Sequence, residues 1–83
     1  MPPIQQLIQQ FKTYLLIQNQ RSAHTANAYI SDINQFFLIV NTSIDMVNKS
    51  TIRNYIEELN ALNLSTKSIH RKLSSLDHFF DYL

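Results

Sequence analysis

The sequence predicts an all-α domain built from four helices, and three of its properties support that fold class. The chain contains no glycine and only two prolines, both at its N-terminal end, whereas a β-rich fold needs these residues at its turns. Apolar residues make up 45% of the 83 residues and charged residues 16%, so one small hydrophobic core can form. Four stretches carry apolar residues at three-four spacing, with short polar segments between them. We therefore treat residues 1–83 as a single domain.

The first helix is expected from about Pro3 to Gln18. Its apolar residues recur at helical spacing, while four glutamines and Lys12 occupy the other side. The apolar positions are Ile4, Leu7, Ile8, Phe11, Tyr14 and Leu15. The polar sequence Asn19-Gln20-Arg21 should end this helix.

The second helix should begin after Ser22, because serine is a favourable N-cap residue. Its apolar stripe is formed by Ala26, Tyr29, Ile30, Ile33, Phe36 and Phe37. Poor helix formers close it at Asn41-Thr42-Ser43, and a short loop then leads to Asn48, the predicted N-cap of the third helix. The third stripe is formed by Ile52, Tyr55, Ile56, Leu59 and Leu62.

The fourth helix is expected to start after Ser65, which follows a turn at Asn63 and Leu64. Its regularly spaced apolar stripe is formed by Ile69, Leu73, Leu76, Phe79, Phe80 and Leu83. A weak internal repeat relates helices two and four, and its paired positions are Ser22 and Ser65, Thr25 and Ser68, Ile30 and Leu73, Ile33 and Leu76, Phe36 and Phe79, and Phe37 and Phe80. The stripe is still periodic at the last residue, so we expect a fragment of a longer protein.

The composition excludes several kinds of site. Without glycine the chain can form neither a Walker-type loop nor a Rossmann fingerprint, and without cysteine it can form neither a disulfide nor a zinc finger. No pair among His24, His70 and His78 has the i, i+4 spacing of metal ligands, so we expect no metal or other cofactor. No apolar run is long enough for a membrane span, no signal peptide is visible, and the missing cysteines are compatible with a reducing, cytoplasmic location.

The fourth helix carries a local excess of positive charge, although the formal net charge of the chain is only +1. Between residues 65 and 76 it has no acid, and its basic residues are Lys67, His70, Arg71 and Lys72. A helical projection places a basic, hydroxylated face opposite the stripe, formed by Lys67, Arg71, Ser74 and His78 and flanked by His70 and Ser75. Such a face suits DNA, because cations neutralise phosphates and arginine can read guanine. An ordinary solvated face would show the same pattern.

The second helix turns a neutral surface of small and polar residues away from its stripe. This surface is formed by His24, Asn27, Ala28, Ser31 and Gln35. Such a surface can approach a DNA groove closely, although uncharged polar faces usually meet only water. It supports a DNA-binding role without establishing one.

Two blocks of the sequence resemble tyrosine recombinases of the Xer and phage-integrase type. Residues 22–36, SAHTANAYISDINQF, look like the family's run S-x-x-T-x-x-A-Y-x-x-D-[LI]-x-x-F. Residues 64–83, with Leu64-Ser65, Arg71 and Leu73-Ser74-Ser75-Leu76, resemble L-S-x-x-[ST]-[IL]-x-R-x-L-S-[AS]-L-R-x-F-[FY]-x-[YF]-L. Residues 48–56 with Leu59 are similar to the family's third helix. The resemblance covers essentially the whole chain and implies the N-terminal core-binding domain, a SAM-like orthogonal bundle of four helices.

The resemblance also implies what this domain does. Helices two and four would meet the major groove of double-stranded DNA at a recombination site, while a separate catalytic domain of the same parent chain covers the other side. The positions that correspond to the family's groove-facing residues are His24, Thr25, Asn27, Ala28, Lys67, His70, Arg71 and Ser74. The family's catalytic residues belong to the C-terminal domain, so this chain is expected to be no enzyme, whereas its parent would cleave and rejoin DNA through a phosphotyrosine linkage. Other recombinase protomers are implied as further partners.

Departures from the family pattern keep other functions open. The family usually has arginine where this chain has Asp77, and its first two helices are often more basic, which implies weak DNA affinity. An all-helical protein interaction module without a DNA role would share the core pattern and fit the near-neutral charge better. A small enzyme has no support, because no cluster of arginine and histidine is available to activate any of the four tyrosines.

Overall fold

The computed structural model describes residues 3–83, and these residues form four α-helices in the expected order. The helices are α1 (Ile4–Ile17), α2 (Ala23–Val40), α3 (Lys49–Ala61) and α4 (Thr66–Tyr82). A short 3-10 turn at Ile44–Met46 lies in the segment that was expected to be a plain loop. No strand occurs among residues 3–83, so the all-α fold class is confirmed.

Serine caps start α2 and α4 in the same way. The Ser22 hydroxyl oxygen accepts a hydrogen bond from the backbone N–H of Thr25 at 3.1 Å, and Ser65 does the same for Ser68 at 3.1 Å. Equivalent apolar positions of the internal repeat are also buried alike, namely Ile33 with Leu76 and Phe36 with Phe79. The repeat that was visible in the sequence is therefore a structural correspondence between α2 and α4.

A capping box starts α3. The Asn48 side-chain oxygen accepts from the Thr51 backbone N–H at 3.0 Å, and the Thr51 hydroxyl oxygen accepts from the Asn48 backbone N–H at 3.2 Å. Two backbone donors that have no partner within the helix are thereby satisfied. This geometry confirms Asn48 as the N-cap that the sequence predicted.

Left-handed residues follow α1, α2 and α3, in a chain that has no glycine to place there. Gln20, Asn41 and Asn63 have φ angles of 52°, 51° and 61°. Asparagine tolerates this region, whereas glutamine pays a steric cost of roughly 1–2 kcal/mol because its Cβ crowds the following carbonyl oxygen. The connection between α1 and α2, which contains Gln20, is therefore the most strained of the three turns.

The hydrophobic core surrounds α2, which contacts each of the other three helices. The buried core residues are Ile8, Phe11, Leu15, Ala26, Ile33, Phe36, Tyr55, Leu59, Ile69, Leu76 and Phe79. Two edge-to-face ring pairs lie within it, with ring centroids 4.9 Å apart for Phe36 and Tyr55 and 5.3 Å apart for Phe11 and Phe79. All of these residues belong to the stripes that the sequence predicted. Leu62 and Leu83, which were expected in the same stripes, are 61% and 52% exposed because they lie where α3 and α4 end.

Candidate nucleic-acid interface

The four predicted contact residues of α4 all lie on its surface. Lys67, His70, Arg71 and Ser74 are exposed, and they follow the Ser65 cap over the first half of the helix. Lys67, Arg71 and Ser74 share one side of the helix, since residues three and four apart are neighbours on a helical surface. His70 and Ser74 also line a shallow depression beside Ile52 of α3.

The four predicted contact residues of α2 are less uniform. His24 and Asn27 are exposed, whereas Thr25 and Ala28 are only partly accessible. The Thr25 hydroxyl accepts a hydrogen bond from the Ser22 hydroxyl at 3.0 Å, so it is partly engaged in the helix cap. Ala28 lies one turn before Asp32, the residue through which α2 contacts the basic part of α4.

Two polar residues of α4 point inward, and one of them, Ser75, corrects the helical projection, which had placed it beside the basic face. The Lys72 side chain is only 9% exposed, and Ser75, which was expected beside the basic face, is completely buried. Both residues lie on the side of α4 that packs against α2, where Asp32 supplies a partner for each of them. The exposed lysine and arginine of this part of α4 are therefore Lys67 and Arg71.

Asp32 is the centre of a buried polar cluster between α2 and α4. One carboxylate oxygen, Oδ1, accepts from Arg71 Nη2 at 3.1 Å and from Lys72 Nζ at 3.2 Å. The other, Oδ2, accepts from the Ser75 hydroxyl at 2.8 Å. Lys72 Nζ also donates to the side-chain oxygen of Gln35. Asp32 itself is 3% exposed, so these donors replace the water that its carboxylate loses on folding.

The Asp32 cluster contains two cations and one anion, and its positive charge is distributed unevenly. Lys72 is buried and must be neutralised where it lies, because an unpaired buried ammonium is very costly. Arg71 keeps 56% of its side chain exposed although it shares the same carboxylate oxygen. The surplus positive charge of the cluster is therefore presented to solvent by Arg71.

The sequence contained a signal for this cluster that a face-by-face projection missed. Asp32 is the only acidic residue of α2, and its helical neighbours Tyr29, Ile33 and Phe36 all belong to the core stripe. A carboxylate in such a position needs a partner of opposite charge from another helix. The stretch of α4 that has cations and no acids could have been recognised as the source of that partner.

Burial of Tyr55 places a second polar group near the same carboxylate. Desolvation raises the pKa of the Tyr55 hydroxyl to about 12, and the negative charge of Asp32 raises it in the same direction. Among residues 3–83 this hydroxyl has no hydrogen-bond partner. Tyr55 is therefore a core residue whose ring packs well and whose hydroxyl is held in its neutral form.

An aromatic and cationic stack continues the α2–α4 surface beyond Asp32. The Tyr29 ring and the His78 imidazole are nearly parallel, with an interplanar angle of 15° and centroids 5.5 Å apart. The guanidinium carbon of Arg21 lies 5.8 Å from the centre of the Tyr29 ring. Arg21 thereby adds an exposed cation beside helix two that was not among the predicted contacts.

A different surface carries an apolar groove of about 920 Å³. Leu7, Ile52, Ile56 and Phe80 contribute to its walls, so the groove is bounded by α1, α3 and the end of α4.

Within the described part of the chain, no group of three or more histidine, cysteine, aspartate or glutamate side chains could hold a metal ion. None of the helices described for residues 3–83 is long and apolar enough to cross a membrane.

Comparison with known proteins gives a consistent result. Residues 8–83 match the model of the phage integrase N-terminal SAM-like domain. A tyrosine recombinase of Pseudothermotoga lettingae is 38% identical in an alignment 85 residues long that covers 96% of this chain and 30% of that protein. Tyrosine recombinase XerC of Lacticaseibacillus casei is 38% identical over 78 residues, which cover 88% of this chain and 26% of that protein. No solved structure matches the chain. The chain thus spans less than a third of the length of these relatives.

Proposed function

Because this chain belongs to the phage integrase N-terminal SAM-like domain family, we propose that it is the DNA-binding module of a tyrosine site-specific recombinase. The relatives named above are tyrosine recombinases, and this chain aligns with a part of each of them. The remaining length would hold the catalytic domain that cleaves and rejoins DNA. The module itself would contribute binding and no chemistry, in a cytoplasmic protein that assembles with further protomers at its site.

The observation that carries this proposal is the distribution of charge on α4. Lys67 and Arg71 are exposed on one side of the helix, and the acids Asp77 and Asp81 come only after this basic segment. Arg71 presents the surplus positive charge of the Asp32 cluster at the surface. A cationic helical surface beside a neutral one suits a duplex, because the cations can neutralise phosphates while small side chains allow close approach.

In the proposed complex α2 and α4 face the major groove. His24, Thr25, Asn27 and Ala28 would contact it from α2, and Lys67, His70, Arg71 and Ser74 from α4. Arg71 has five N–H donors, of which one is used by Asp32, so it can also donate to a phosphate or to a guanine edge. The uncharged residues of α2 would fix distance and orientation more than affinity.

The test is a titration of the isotope-labelled domain with a short DNA duplex at 50 mM and at 200 mM salt, followed through amide chemical shifts. If Lys67 and Arg71 each neutralise one phosphate, the slope of log affinity against log salt is about −1.8, which lowers affinity about 12-fold between these salt concentrations. Dissociation constants should fall in the nonspecific range of roughly 10⁻⁴ to 10⁻⁶ M. The shifts should cluster in the first halves of α2 and α4.

A matched pair of variants makes this test specific. Arg71→Ala should reduce the salt slope by about 0.9 and weaken binding at least about fivefold, because one phosphate contact is lost. Arg53→Ala removes the same charge from the exposed surface of α3 and should change neither value. If duplex causes no shifts at low salt, the DNA-binding proposal is wrong, and the apolar groove would favour the protein interaction alternative.

A further inference from the structure

The contact between Asp32 and Arg71 joins a buried carboxylate to an exposed arginine, 39 positions apart in the sequence. We propose that Asp32 is a positioning residue, which holds the Arg71 guanidinium in place on the surface of α4 before DNA arrives. This inference rests on the proposed function, because it assigns a role in DNA binding to a residue that DNA does not touch. Asp32 is not one of the eight predicted contact residues.

The first step of the argument is that the Asp32 carboxylate is itself immobile. It is 3% exposed and accepts hydrogen bonds on both of its oxygens. The Ser75 hydroxyl fixes Oδ2 at 2.8 Å, and this serine is completely buried. Oδ1 therefore offers Arg71 an acceptor whose position is set by the core of the domain.

The second step is that the buried Lys72 frees Arg71 for another anion. Lys72 approaches Oδ1 at 3.2 Å with almost no access to water, so the carboxylate charge is needed for Lys72. Arg71 shares that oxygen at 3.1 Å but keeps more than half of its side chain exposed. Asp32 thus restrains the Arg71 guanidinium without cancelling the charge that would attract a phosphate.

The third step is the consequence for affinity. An arginine that is disordered in the free protein loses side-chain entropy when it binds, and that loss lowers affinity about two- to tenfold. A guanidinium that is already held by Asp32 has lost much of this freedom on folding. Asp32 should therefore strengthen DNA binding although its own charge repels phosphates.

The experiment uses the double substitution Asp32→Ala with Lys72→Met. It removes one negative and one positive charge, so the net charge of the chain is unchanged while the restraint on Arg71 is lost. Affinity for the duplex should fall about two- to tenfold, with the salt slope unchanged at about −1.8 because Arg71 still meets its phosphate. A matched control, Arg53→Ala with Glu57→Ala, also removes one charge of each sign, from exposed positions of α3, and should bind as the unmodified domain does.

The outcomes separate this inference from the proposed function. If Arg71→Ala weakens binding but the double variant binds as tightly as the unmodified domain, or more tightly, Asp32 is only structural and the inference is wrong. If neither the unmodified domain nor its variants bind DNA, the proposed function itself fails.

A second measurement does not depend on the folding of any variant. In the free, unmodified domain, the nitrogen relaxation of the Arg71 Nε–H should indicate a side chain about as ordered as the backbone, whereas exposed Arg53 should be mobile. Equal mobility of the two arginines would overturn the inference.

Discussion

Removal of the Asp32 carboxylate should be among the most destabilising single changes in this domain. In Asp32→Ala, Lys72 stays on the buried side of α4 with only the neutral Gln35 oxygen as a partner. Breaking a buried ion pair in this way costs about 3–5 kcal/mol. Two effects limit the loss, because alanine favours the helix by a few tenths of a kcal/mol and the Ser75 hydroxyl keeps its hydrogen bond to the Arg71 carbonyl oxygen at 3.2 Å.

We therefore expect the free energy of unfolding to fall by about 3–4 kcal/mol, out of roughly 4–12 kcal/mol for a domain of this size. The assay is urea unfolding followed by helical circular dichroism. With a urea dependence of about 1 kcal/mol per molar, the midpoint should move down by roughly 3 M. Lys72→Met should cost much less, about 1 kcal/mol or below, because Asp32 retains Arg71 and Ser75 as donors.

The combined variant completes the cycle. Asp32→Ala with Lys72→Met leaves no unpaired buried charge, so it should recover most of the stability that Asp32→Ala loses. A cost below about 1 kcal/mol for Asp32→Ala, or equal costs for the two single variants, would refute the reasoning that Lys72 is the cation neutralised inside the domain.

Three further predictions concern other parts of the fold. Because burial raises the pKa of Tyr55 to about 12, the unfolded chain should lose this proton between pH 10 and 12 while the folded domain keeps it, so the unfolding free energy should fall by up to about 1.4 kcal/mol per pH unit. Tyr55→Phe should remove that part of the dependence in urea titrations at pH 9 and 11, and an unchanged slope would contradict the assignment. Asn48→Ala should lower the unfolding free energy by about 1 kcal/mol through loss of the capping box, with Ser50→Ala as an exposed control that should change it little. Gln20→Gly should increase the unfolding free energy by up to about 1 kcal/mol and so raise the melting temperature, because glycine adopts the left-handed backbone conformation of residue 20 without steric cost. A lower melting temperature would argue against strain at this turn.

The helices could be predicted from the sequence because their signals are local. Ser22, Asn48 and Ser65 cap helices through contacts with residues three positions later, and such spacing is visible in the chain itself. The 3-10 turn at Ile44–Met46 was missed, since three residues are too few to show a periodicity. The local part of the fold can thus be predicted from the sequence alone.

The Asp32 cluster could not be found by the same reasoning. The helical projection placed Ser75 beside the solvent-facing basic face and left Lys72 outside that face without a partner, because a projection of one helix cannot show what a neighbouring helix supplies. Here α2 supplies the Asp32 carboxylate, 40 positions away, and its negative charge offsets the desolvation cost of burying the Lys72 ammonium. The predicted contact residues remain a hypothesis that comes from family resemblance, whereas the arrangement around Arg71 follows from tertiary packing.

The shared charge balance between α2 and α4 has a consequence for protein engineering. If α4 contacts DNA as proposed, transplanting this helix between relatives would be one way to change the preferred site. Here, residues 66–82 placed on a scaffold without a carboxylate at the position of Asp32 would bring Lys72 into the interior with no counterion. Such a chimaera should fold poorly whatever its new surface recognises. For this domain the transferable unit is the pair of helices, and chimaeras should exchange α2 and α4 together.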